Sequence, residues 1–415
     1  MSLPVPPSRR RLLTGLGGLG FAGALSACAT PARPVAGLST GFAPRRVAPI
    51  VMLPNRIIRI TVCTRAFRAS GPRLDVERIG ETHIVHNYGH GGSGWSLSWG
   101  SSGIAGRKAM ALAGAAGGTP AIAVVGAGAL GLTSALTLQR LGARVVIYAK
   151  DRPAFTRSMR ATGTWTPDSR IADASRMPAD FADQWARMAR ESWAIHQTYL
   201  GTEGDPVAFR DRYLLSGDEP SSGPRPPIVS APGAPEIEFA TFDNPLTGLS
   251  PRSIPLPASA SPFPVAGTRL TSGLQFNVTE LARRLETEFL LNGGRIETRE
   301  FRTPAEMAAL PERVVVNCTG YGARALFNDA EITPVRGQIA WLAPQPEVDY
   351  GLHFRGVTVI SRPDGIVVQS TRGDMHGYGI EDETPDRQEA EATIGVVAPL
   401  FPDLRPPATA TAAPT

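Results

Sequence analysis

The sequence predicts a mixed fold with two parts, an α/β nucleotide-binding domain and a β-rich α+β domain. Three observations support this prediction. Residues 121–151 have the pattern strand, glycine turn, helix and strand, residues 205–270 are Pro-rich with short alternating apolar runs, and 42% of the 415 residues are hydrophobic. A chain of this length and composition buries a large core and accommodates about two or three domains.

The stretch 121–151 carries the strongest motif of the chain. Between two apolar runs, Gly126, Gly128 and Gly131 have G-x-G-x-x-G spacing, and a helical pattern begins at Ala129. Glycines at this spacing let the backbone turn tightly, approach a pyrophosphate and seat the helix close to the strand. The helix N-terminus then offers unpaired N–H groups to the phosphates. We therefore predict a dinucleotide site here, and the alternative is a glycine-rich packing turn.

Charge and composition exclude several other function classes. The formal net charge is +5, and three of the positive charges, Arg9, Arg10 and Arg11, lie in a segment that we expect to be removed, so no nucleic-acid partner is predicted. The cysteines and histidines have no metal-ligand spacing, and we predict no metal site. Cys63 and Cys318 are interpreted as core thiols, with a disulfide as the alternative.

Residues 1–30 resemble an export signal. Residues 8–13, SRRRLL, resemble a twin-arginine motif, and the apolar run that follows is too short for a stable membrane helix. Residues 25–28, LSAC, resemble a lipobox in which Cys28 is lipidated, and ordinary cleavage near Ala27 is the alternative. We expect export by the twin-arginine route to the periplasm, with the membrane reached only through this lipid anchor.

The other elements are predicted from composition and periodicity. Before the nucleotide-binding unit, we predict a linker at 31–55, a strand at 56–62, an arginine-rich segment with turns at 64–77, a strand at 82–86, a glycine-rich turn leading to a helix, and a linker at 106–120. After it, we predict helices at 180–199, 277–292 and 388–401, strands at 295–299, 313–321, 336–342 and 357–368 with a turn at 363–365, and a disordered tail at 405–415.

Taken together, these motifs resemble those of the D-amino-acid oxidase family of FAD-dependent oxidoreductases. VVGAGALGL, IYAKD, ATGTWTP, VVVNCTGYGARAL and PVRGQIAWL are similar, in order, to its pyrophosphate loop, ribose strand, flavin-ring turn, second nucleotide strand and Arg-Gly-Gln strand. HNYGHGGSGWSLSWG resembles its most diagnostic motif, and RAFRASGPRLD resembles its arginine-rich substrate segment. The resemblance covers residues 57–404 and implies FAD as the cofactor, held by a Rossmann-like domain next to a β-rich substrate domain.

The order of the motifs departs from the family pattern. In the family, the last two motifs lie at the carboxyl end, whereas here they precede the nucleotide-binding strand, which implies a circular permutation. The implied domains are a displaced carboxyl-terminal part at 56–105, a joining linker at 106–120, the FAD-binding domain at 121–180 and 276–335, and the substrate domain at 181–275 and 336–404. We therefore expect residues 82–86 to pair with strands from the second half of the chain.

The resemblance also implies roles for individual residues. Arg65 matches the family's carboxylate ligand and Arg68 is the second choice, although the adjacent prolines of the family are Ala66 and Ala69 here, and a pair of surface arginines is the alternative. The cofactor would be held by the glycines and Ala129 of the first motif and by further residues in the other motifs, which are Gly91, Gly92, Ser93, Gly94, Asp151, Thr162, Gly163, Thr164, Thr319 and Gly320. Gly92 is also expected to face the substrate amine.

One departure concerns substrate binding. The family carries a tyrosine on the strand after Gly356 that helps to hold the substrate carboxylate, and Thr358 stands there in this chain, with Tyr350 and His353 as upstream substitutes. The implied function is oxidation of an amino acid, most plainly a D-amino acid, with molecular oxygen as the electron acceptor. The alternatives are a dehydrogenase that passes electrons to a membrane carrier, and a non-catalytic flavin- or ligand-binding relative.

Overall fold

A computed structural model describes residues 46–114, 118–217, 229–242, 246, 248–249, 251–371 and 373–402. The predicted signal at 1–30, the first part of the predicted linker at 31–55 and the predicted tail at 405–415 lie outside these residues. The described chain forms two sheets, and its strands are β1 (Ile57–Arg68), β2 (Val76–Ile79), β3 (Thr82–His86), β4 (Ala121–Val125), β5 (Arg144–Ala149), β6 (Val207–Ser216), β7 (Ile254–Leu256), β8 (Gly267–Phe276), β9 (Arg295–Thr298), β10 (Val314–Asn317), β11 (Ile332–Leu342), β12 (Tyr350–Phe354), β13 (Val357–Arg362) and β14 (Gly365–Ser370).

Five of the seven helices in the described residues lie where the sequence predicts them, although the first of them extends into the predicted linker, and the two short helices at 304–308 and 323–326 were not predicted. Asn277 and Asp386 cap two of them through their side chains, as short polar residues do at helix N-termini. The helices are α1 (Gly94–Gly114), α2 (Ala129–Arg140), α3 (Phe181–Gln197), α4 (Val278–Leu291), α5 (Pro304–Ala308), α6 (Ala323–Leu326) and α7 (Arg387–Val397).

The six-stranded sheet forms the nucleotide-binding part and has the order β2-β3-β10-β4-β5-β9. Its strands are parallel except for β2, which pairs antiparallel with β3 at the edge. Residues 122–125 of β4 are buried, as expected of a central parallel strand whose two faces are both covered. The predicted Rossmann-like domain is therefore confirmed.

The segment that precedes the nucleotide motif belongs to both sheets. β3 pairs in parallel with β10, matching Val314 to His83 and Asn317 to His86, so the predicted pairing of residues 82–86 with the second half of the chain is confirmed. β1 pairs with β11 along its whole length. Residues 57–103 are therefore an integral part of the fold and not an appended domain.

The eight-stranded sheet confirms the predicted β-rich part and has the order β1-β11-β14-β13-β12-β6-β8-β7. β13 and β14 form the predicted hairpin, in which Arg362 pairs with Gly365. Alternation along these strands turns one set of side chains towards the hydrophobic core and the other set towards the nucleotide-binding part. The second set lines the cavity described below.

Two predicted boundaries are corrected by the structure. α1 continues to Gly114, so residues 106–114 are helical although we predicted a linker from 106 to 120. Alanine favours helix, and the fully buried Ala105 and Ala109 pack in the core with residues of α2, a contact that small side chains do not reveal as a periodic apolar pattern. β1 extends to Arg68, beyond the predicted end at residue 62, because pairing with β11 continues through the arginine-rich segment.

Part of the predicted linker at 31–55 also contributes to the core. Ile50 and Met52 are buried in the same hydrophobic cluster as Leu400 and Phe401, near the other end of the described chain. None of the helices in the described ranges is both long and apolar enough to cross a membrane.

Candidate active site

The glycine turn between β4 and α2 has the conformation that its spacing predicts. Gly126 has a φ of 109°, which L side chains rarely adopt, and a Cβ there would overlap the carbonyl oxygen of Cys318. A Cβ on Gly131 would overlap the carbonyl oxygen of Gly126. Gly126 and Gly131 therefore let α2, β4 and β10 approach closely, while Gly128 is the N-cap of α2 and provides no side chain to satisfy the first N–H groups.

A cleft of about 670 Å³ opens at this turn. The predicted nucleotide ligands that line it come from three different strand ends, and they are Gly126, Gly128, Asp151, Thr319 and Gly320. Lys150 lines it too, beside Asp151. A dinucleotide fits this cleft, because the N-terminus of α2, whose N-cap residue Gly128 has no side chain, supplies N–H donors for phosphates and the glycines leave room for them.

A second cavity of about 280 Å³ continues from the cleft, and the two share lining residues at positions 157, 158, 160, 320 and 321. Gly92 and Gly94 of one glycine turn and Ala129 of the other line it together. Both turns are joined through Ser158, whose Oγ accepts from the Ala129 amide at 3.0 Å and whose carbonyl accepts from Trp95 Nε1 at 2.8 Å. The two turns therefore face one shared site, as the sequence predicts.

The turn at 89–94 is held by the segment around Ser169. The amide of Gly91 donates to the carbonyl of Ala66, and the amide of Gly92 donates to the carbonyl of Ser169, both at 2.9 Å. Ser93, predicted as a cofactor ligand, is instead buried and donates its Oγ to the same Ser169 carbonyl at 3.1 Å, and it does not line the cavity. The amides of Gly91 and Gly92 are therefore used in hydrogen bonds within the fold. Glycine at these positions lets the turn approach the backbone around Ser169 closely.

The predicted flavin-ring turn also reaches the cavity, with Thr162, Gly163 and Thr164 in its wall. Gly163 has a φ of 94° and accepts a hydrogen bond from the Phe276 amide at 2.7 Å, which ties the turn to the end of β8. Thr162 Oγ1 donates to the side-chain oxygen of Gln369 on β14. This turn is therefore fixed between the two sheets, with polar groups at the edge of the cavity.

Arg65 lines the cavity from β1. Its Nη1 donates to the carbonyl oxygen of Arg336 at 3.3 Å, and its guanidinium lies against Gly337, where a Cβ would overlap it. A guanidinium carries five N–H donors, so most of those of Arg65 stay available for an anion in the cavity. The glycine in the Arg-Gly-Gln sequence therefore makes room for this arginine.

Arg68 does not line the cavity, which corrects its prediction as a second carboxylate ligand. Its Nε lies 3.1 Å from Asp329 Oδ2, and its Nη2 lies 3.3 Å from Glu331 Oε2. Side chains alternate between the two faces of a strand, so the offset of three residues turns Arg68 away from the face that carries Arg65. Arg68 therefore attaches β1 to the segment before β11.

Thr358, which the resemblance sets in the place of a tyrosine, lines the cavity. Its Oγ1 lies 3.1 Å from His353 Nδ1 on the paired strand β12. Tyr350, a suggested substitute for that tyrosine, is buried on the far side of the sheet and donates to the Ala48 carbonyl at 2.8 Å. The offset of three residues between Tyr350 and His353 explains why only the latter reaches Thr358.

Four further arginines line the cavity and were missed by the sequence analysis, and two of them, Arg157 and Arg160, pair with Glu383. Arg170 follows the flavin-ring turn and has a φ of 49°, and Arg212 lies on β6 in an alternating stretch. Burial and the neighbouring charge of Arg65 lower the pKa of Arg170 to about 10, and burial lowers the pKa of Arg212. Arg212 alternates with partly apolar neighbours on its strand, a pattern that does not distinguish a cavity from the surface, and Arg170 follows a turn without any such pattern.

The histidines of the diagnostic motif are structural, as their setting in a turn predicts. His86 Nε2 lies 3.1 Å from Glu77 Oε2. His90 lines the cavity only partly, and its Nε2 lies 2.7 Å from Ser101 Oγ. The fully buried His196 of α3 similarly directs Nε2 to a backbone carbonyl, that of Trp95, at 3.0 Å. In the described part of the chain, Nδ1 of His90 and Nδ1 of His196 have no hydrogen-bond partner.

These two buried histidines predict a loss of stability in acid. Burial lowers the pKa of His90 to about 3 and that of His196 to about 4, from an ordinary value of 6.5. Below pH 6.5 these histidines are protonated in the unfolded chain but stay neutral in the folded chain. The free energy of unfolding therefore falls as the pH falls, by about 1 kcal/mol per pH unit for each histidine.

Urea unfolding between about pH 7 and pH 5 measures this slope. His196→Gln keeps a donor for the carbonyl of Trp95. We expect the free energy of unfolding of this variant to depend less steeply on pH, by the contribution of one histidine. An unchanged slope in this variant would contradict the assignment.

The two thiols in the described chain, Cys63 and Cys318, are free, which favours the interpretation of separate core thiols. Burial raises the pKa of Cys318 to about 12. Within the described ranges, no group of histidine, cysteine, aspartate and glutamate residues could hold a metal ion.

Comparisons with known proteins agree with the family that the motifs of the sequence resemble. A family described as FAD dependent oxidoreductase matches residues 121–413. A D-amino-acid oxidase of Streptomyces coelicolor is 30% identical over 52% of this chain and 58% of its own length, and a D-amino-acid oxidase of Dictyostelium discoideum is 25% identical over 67% of this chain and 73% of its own length. The chain thus matches less than two thirds of the first relative.

Among solved structures, the glycine oxidase from Geobacillus kaustophilus aligns with a TM-score of 0.46 at 17% identity, covering 68% of this chain and 78% of that one. The family match spans the nucleotide turn, the flavin-ring turn and the strand that carries Thr358, and the description of the family names FAD, the dinucleotide that the residues of the cleft fit. The chain belongs to the family of FAD dependent oxidoreductases.

Proposed function

We propose that the protein oxidises a D-amino acid to the imino acid, which water hydrolyses to the keto acid and ammonia, while molecular oxygen is reduced to hydrogen peroxide. The observation that carries this proposal is the cavity shared by the two glycine turns and Arg65. It continues into the nucleotide cleft, so a bound FAD would reach the same space as a substrate. The relatives named D-amino-acid oxidase provide the substrate class.

The roles of the side chains follow from their positions. Arg65 would bind the substrate α-carboxylate through two parallel N–H donors, which fixes the amino acid in one orientation. Thr358 has a shorter side chain than tyrosine and would leave a larger space beside this carboxylate. Thr162 and Thr164 line the same cavity and would lie at the polar edge of the flavin ring, where they could donate or accept hydrogen bonds.

The reaction balances with FAD and oxygen as the only co-reactants. FAD supplies the electron sink for the two electrons and the proton that leave the substrate Cα. The amine loses a second proton as the C=N bond forms, and oxygen takes up both electrons with two protons. The chain contributes orientation, which in well-aligned cases supplies about 7–11 kcal/mol of the barrier.

The decisive experiment is the visible spectrum of the purified protein with FAD under nitrogen. We expect a D-amino acid from a panel to bleach the flavin absorbance, and its L-enantiomer to leave it unchanged. Readmission of air should restore the absorbance with formation of hydrogen peroxide. If none of the D-amino acids, glycine or N-methyl amino acids bleaches the flavin, the protein is a non-catalytic flavin binder and the proposal is wrong.

The electron acceptor is tested in the same preparation. An oxidase turns over in air without any additive, and a dehydrogenase turns over only when an artificial electron acceptor is supplied. Turnover with the artificial acceptor under nitrogen, together with no turnover in air, would show that electrons pass to a carrier instead of oxygen. The substrate assignment would stand.

We further propose that the chain is a circular permutation of the family order. Three features support it: β1 and β3 are integral strands, the family match begins at residue 121, and Ile50 packs in the same cluster as Phe401. A family chain that is broken near Ile50 and Phe401, and whose original ends are joined between α1 and β4, keeps every strand pair. A chain rebuilt with 118–402 first and 46–114 second should fold and bind FAD, and a rebuilt chain that fails to fold would argue against the proposal.

We propose that residues 1–30 direct export by the twin-arginine route. The support is the SRRRLL motif before a short apolar run, followed by LSAC. Replacement of Arg9, Arg10 and Arg11 by lysine should leave the protein in the cytoplasmic fraction, and Cys28→Ala should release it from the membrane fraction. Export of the lysine variant at the normal level would refute the route.

A further inference from the structure

The cavity beside the nucleotide cleft contains a buried side-chain amide that the sequence analysis did not single out. Gln369 lies on β14, is 4% exposed and lines the cavity. Its Oε1 accepts a hydrogen bond from Thr162 Oγ1 in the flavin-ring turn, so the oxygen of the amide has a partner. Within the described ranges, the nitrogen Nε2 donates to no other group. Burying two N–H donors without a partner costs free energy, which a bound acceptor in the cavity would offset.

The strand register brings this amide close to Arg65. The guanidinium of Arg65 lies against Gly337 on β11. Gln369 pairs with Ile339, two residues further along β11, so Gln369 and Gly337 are diagonal neighbours on one face of the sheet. Diagonal neighbours on paired strands lie roughly 7–8 Å apart, within reach of long side chains. The guanidinium and the amide therefore face the same part of the cavity.

A carboxylate is the acceptor that suits the space between these two donors. Its two oxygens offer about four acceptor positions, and a guanidinium uses two of them. With hydrogen bonds of about 2.9 Å on either side, one carboxylate spans the distance between the two groups. The hydroxyl of Thr358, on the strand paired with β14 at Gln369, already has a partner in His353. Gln369 is therefore placed to complete the anion site of Arg65.

We propose that Gln369 is a second ligand of the substrate α-carboxylate, to which its Nε2 donates while Arg65 supplies the charge. This proposal rests on the proposed function above and adds a specific side chain to its substrate site. A neutral amide adds a hydrogen bond without adding a further buried charge. The competing role for Nε2 is a hydrogen bond to a carbonyl oxygen of the flavin ring, because Thr162 belongs to the flavin-ring turn, and the test separates the two roles.

The test is a calorimetric titration of propionate, which has a carboxylate and no amino group, into protein saturated with FAD. We expect Gln369→Leu, which nearly keeps the volume of the side chain, to weaken propionate binding about 10- to 100-fold, the range for a hydrogen bond to a charged group. Gln369→Glu keeps an oxygen for Thr162 and places an anion beside Arg65, so we expect a larger loss.

Gln338→Leu is the matched control. Gln338 is a 6% exposed glutamine on β11, donates its Nε2 to the carbonyl of Asp386 at 2.8 Å and does not line the cavity. The same substitution there removes a buried amide from the same sheet, so it should lower stability and leave the dissociation constant for propionate unchanged.

Steady-state kinetics give a second readout that a merely structural role would not move. A contact made equally to the substrate and to the transition state affects KM and not kcat. We therefore expect Gln369→Leu to raise KM for the preferred amino acid about 10- to 100-fold and to change kcat little.

The outcomes keep this inference separate from the proposed function. Unchanged propionate binding in either Gln369 variant, or no propionate binding by the unaltered protein, would overturn the inference while amino-acid oxidation still supports the oxidase assignment. Weaker binding of FAD to Gln369→Leu, with propionate binding unchanged at saturating FAD, would make Gln369 a flavin ligand instead. If no amino acid is oxidised, weaker propionate binding in both variants supports the inference alone.

Discussion

Arg65→Met is expected to lower kcat/KM by on the order of 10²–10³-fold, the loss typical when one partner of a buried, hydrogen-bonded charge pair is removed. Methionine keeps the volume of the side chain and removes all five donors. The substrate carboxylate then enters a cavity wall with no partner at this position, and the Cα–H loses its fixed orientation. Steady-state kinetics on the preferred amino acid, together with the flavin content of the variant, measure the effect.

Arg68→Met is the matched control on the same strand. Arg68 pairs with Asp329, whose side chain is 7% exposed, so its removal should destabilise the fold by about 3 kcal/mol. The kcat/KM of the folded protein should change little, because Arg68 does not line the cavity. Arg65→Lys should recover only part of the activity, since an ammonium does not form two parallel hydrogen bonds. Equal kinetic losses at both positions would contradict the assignment of Arg65.

Gly131→Ala is expected to abolish FAD binding. A Cβ at Gly131 would overlap the carbonyl oxygen of Gly126, and that backbone atom can move only if the phosphate-binding turn moves. We expect the purified variant to be colourless and less stable by on the order of 3 kcal/mol, the upper range for overpacking. The ratio of flavin to protein and a urea unfolding curve measure the two effects.

Gly395→Ala provides the comparison inside another helix, α7. A Cβ at Gly395 meets no atom within 4 Å, so alanine should stabilise the helix by about 0.5–1 kcal/mol and leave the flavin content unchanged. A yellow, fully loaded Gly131→Ala protein would show that the turn tolerates a side chain and that the overlap does not decide cofactor binding.

The limits of sequence analysis are clearest on β1. The arginine-rich motif located a segment that reaches the cavity, and its first choice, Arg65, lines that cavity, but the motif also suggested Arg68. The choice between them depends on strand alternation, and the segment was predicted to contain turns, so no alternation could be applied. Pairing with β11 extends the strand and decides which arginine enters the cavity.

The sequence by itself determined the nucleotide-binding unit, because glycine spacing and strand-helix periodicity are local properties of the chain. The cofactor and the family followed from the resemblance of its motifs to those of the D-amino-acid oxidase family. The sequence also predicted that residues 82–86 join strands from the second half, which β10 confirms. Only the tertiary structure decided which polar side chains share the cavity. Arg170 and Arg212 come from distant segments, and their meeting in one cavity is a property of three-dimensional packing that no local pattern encodes.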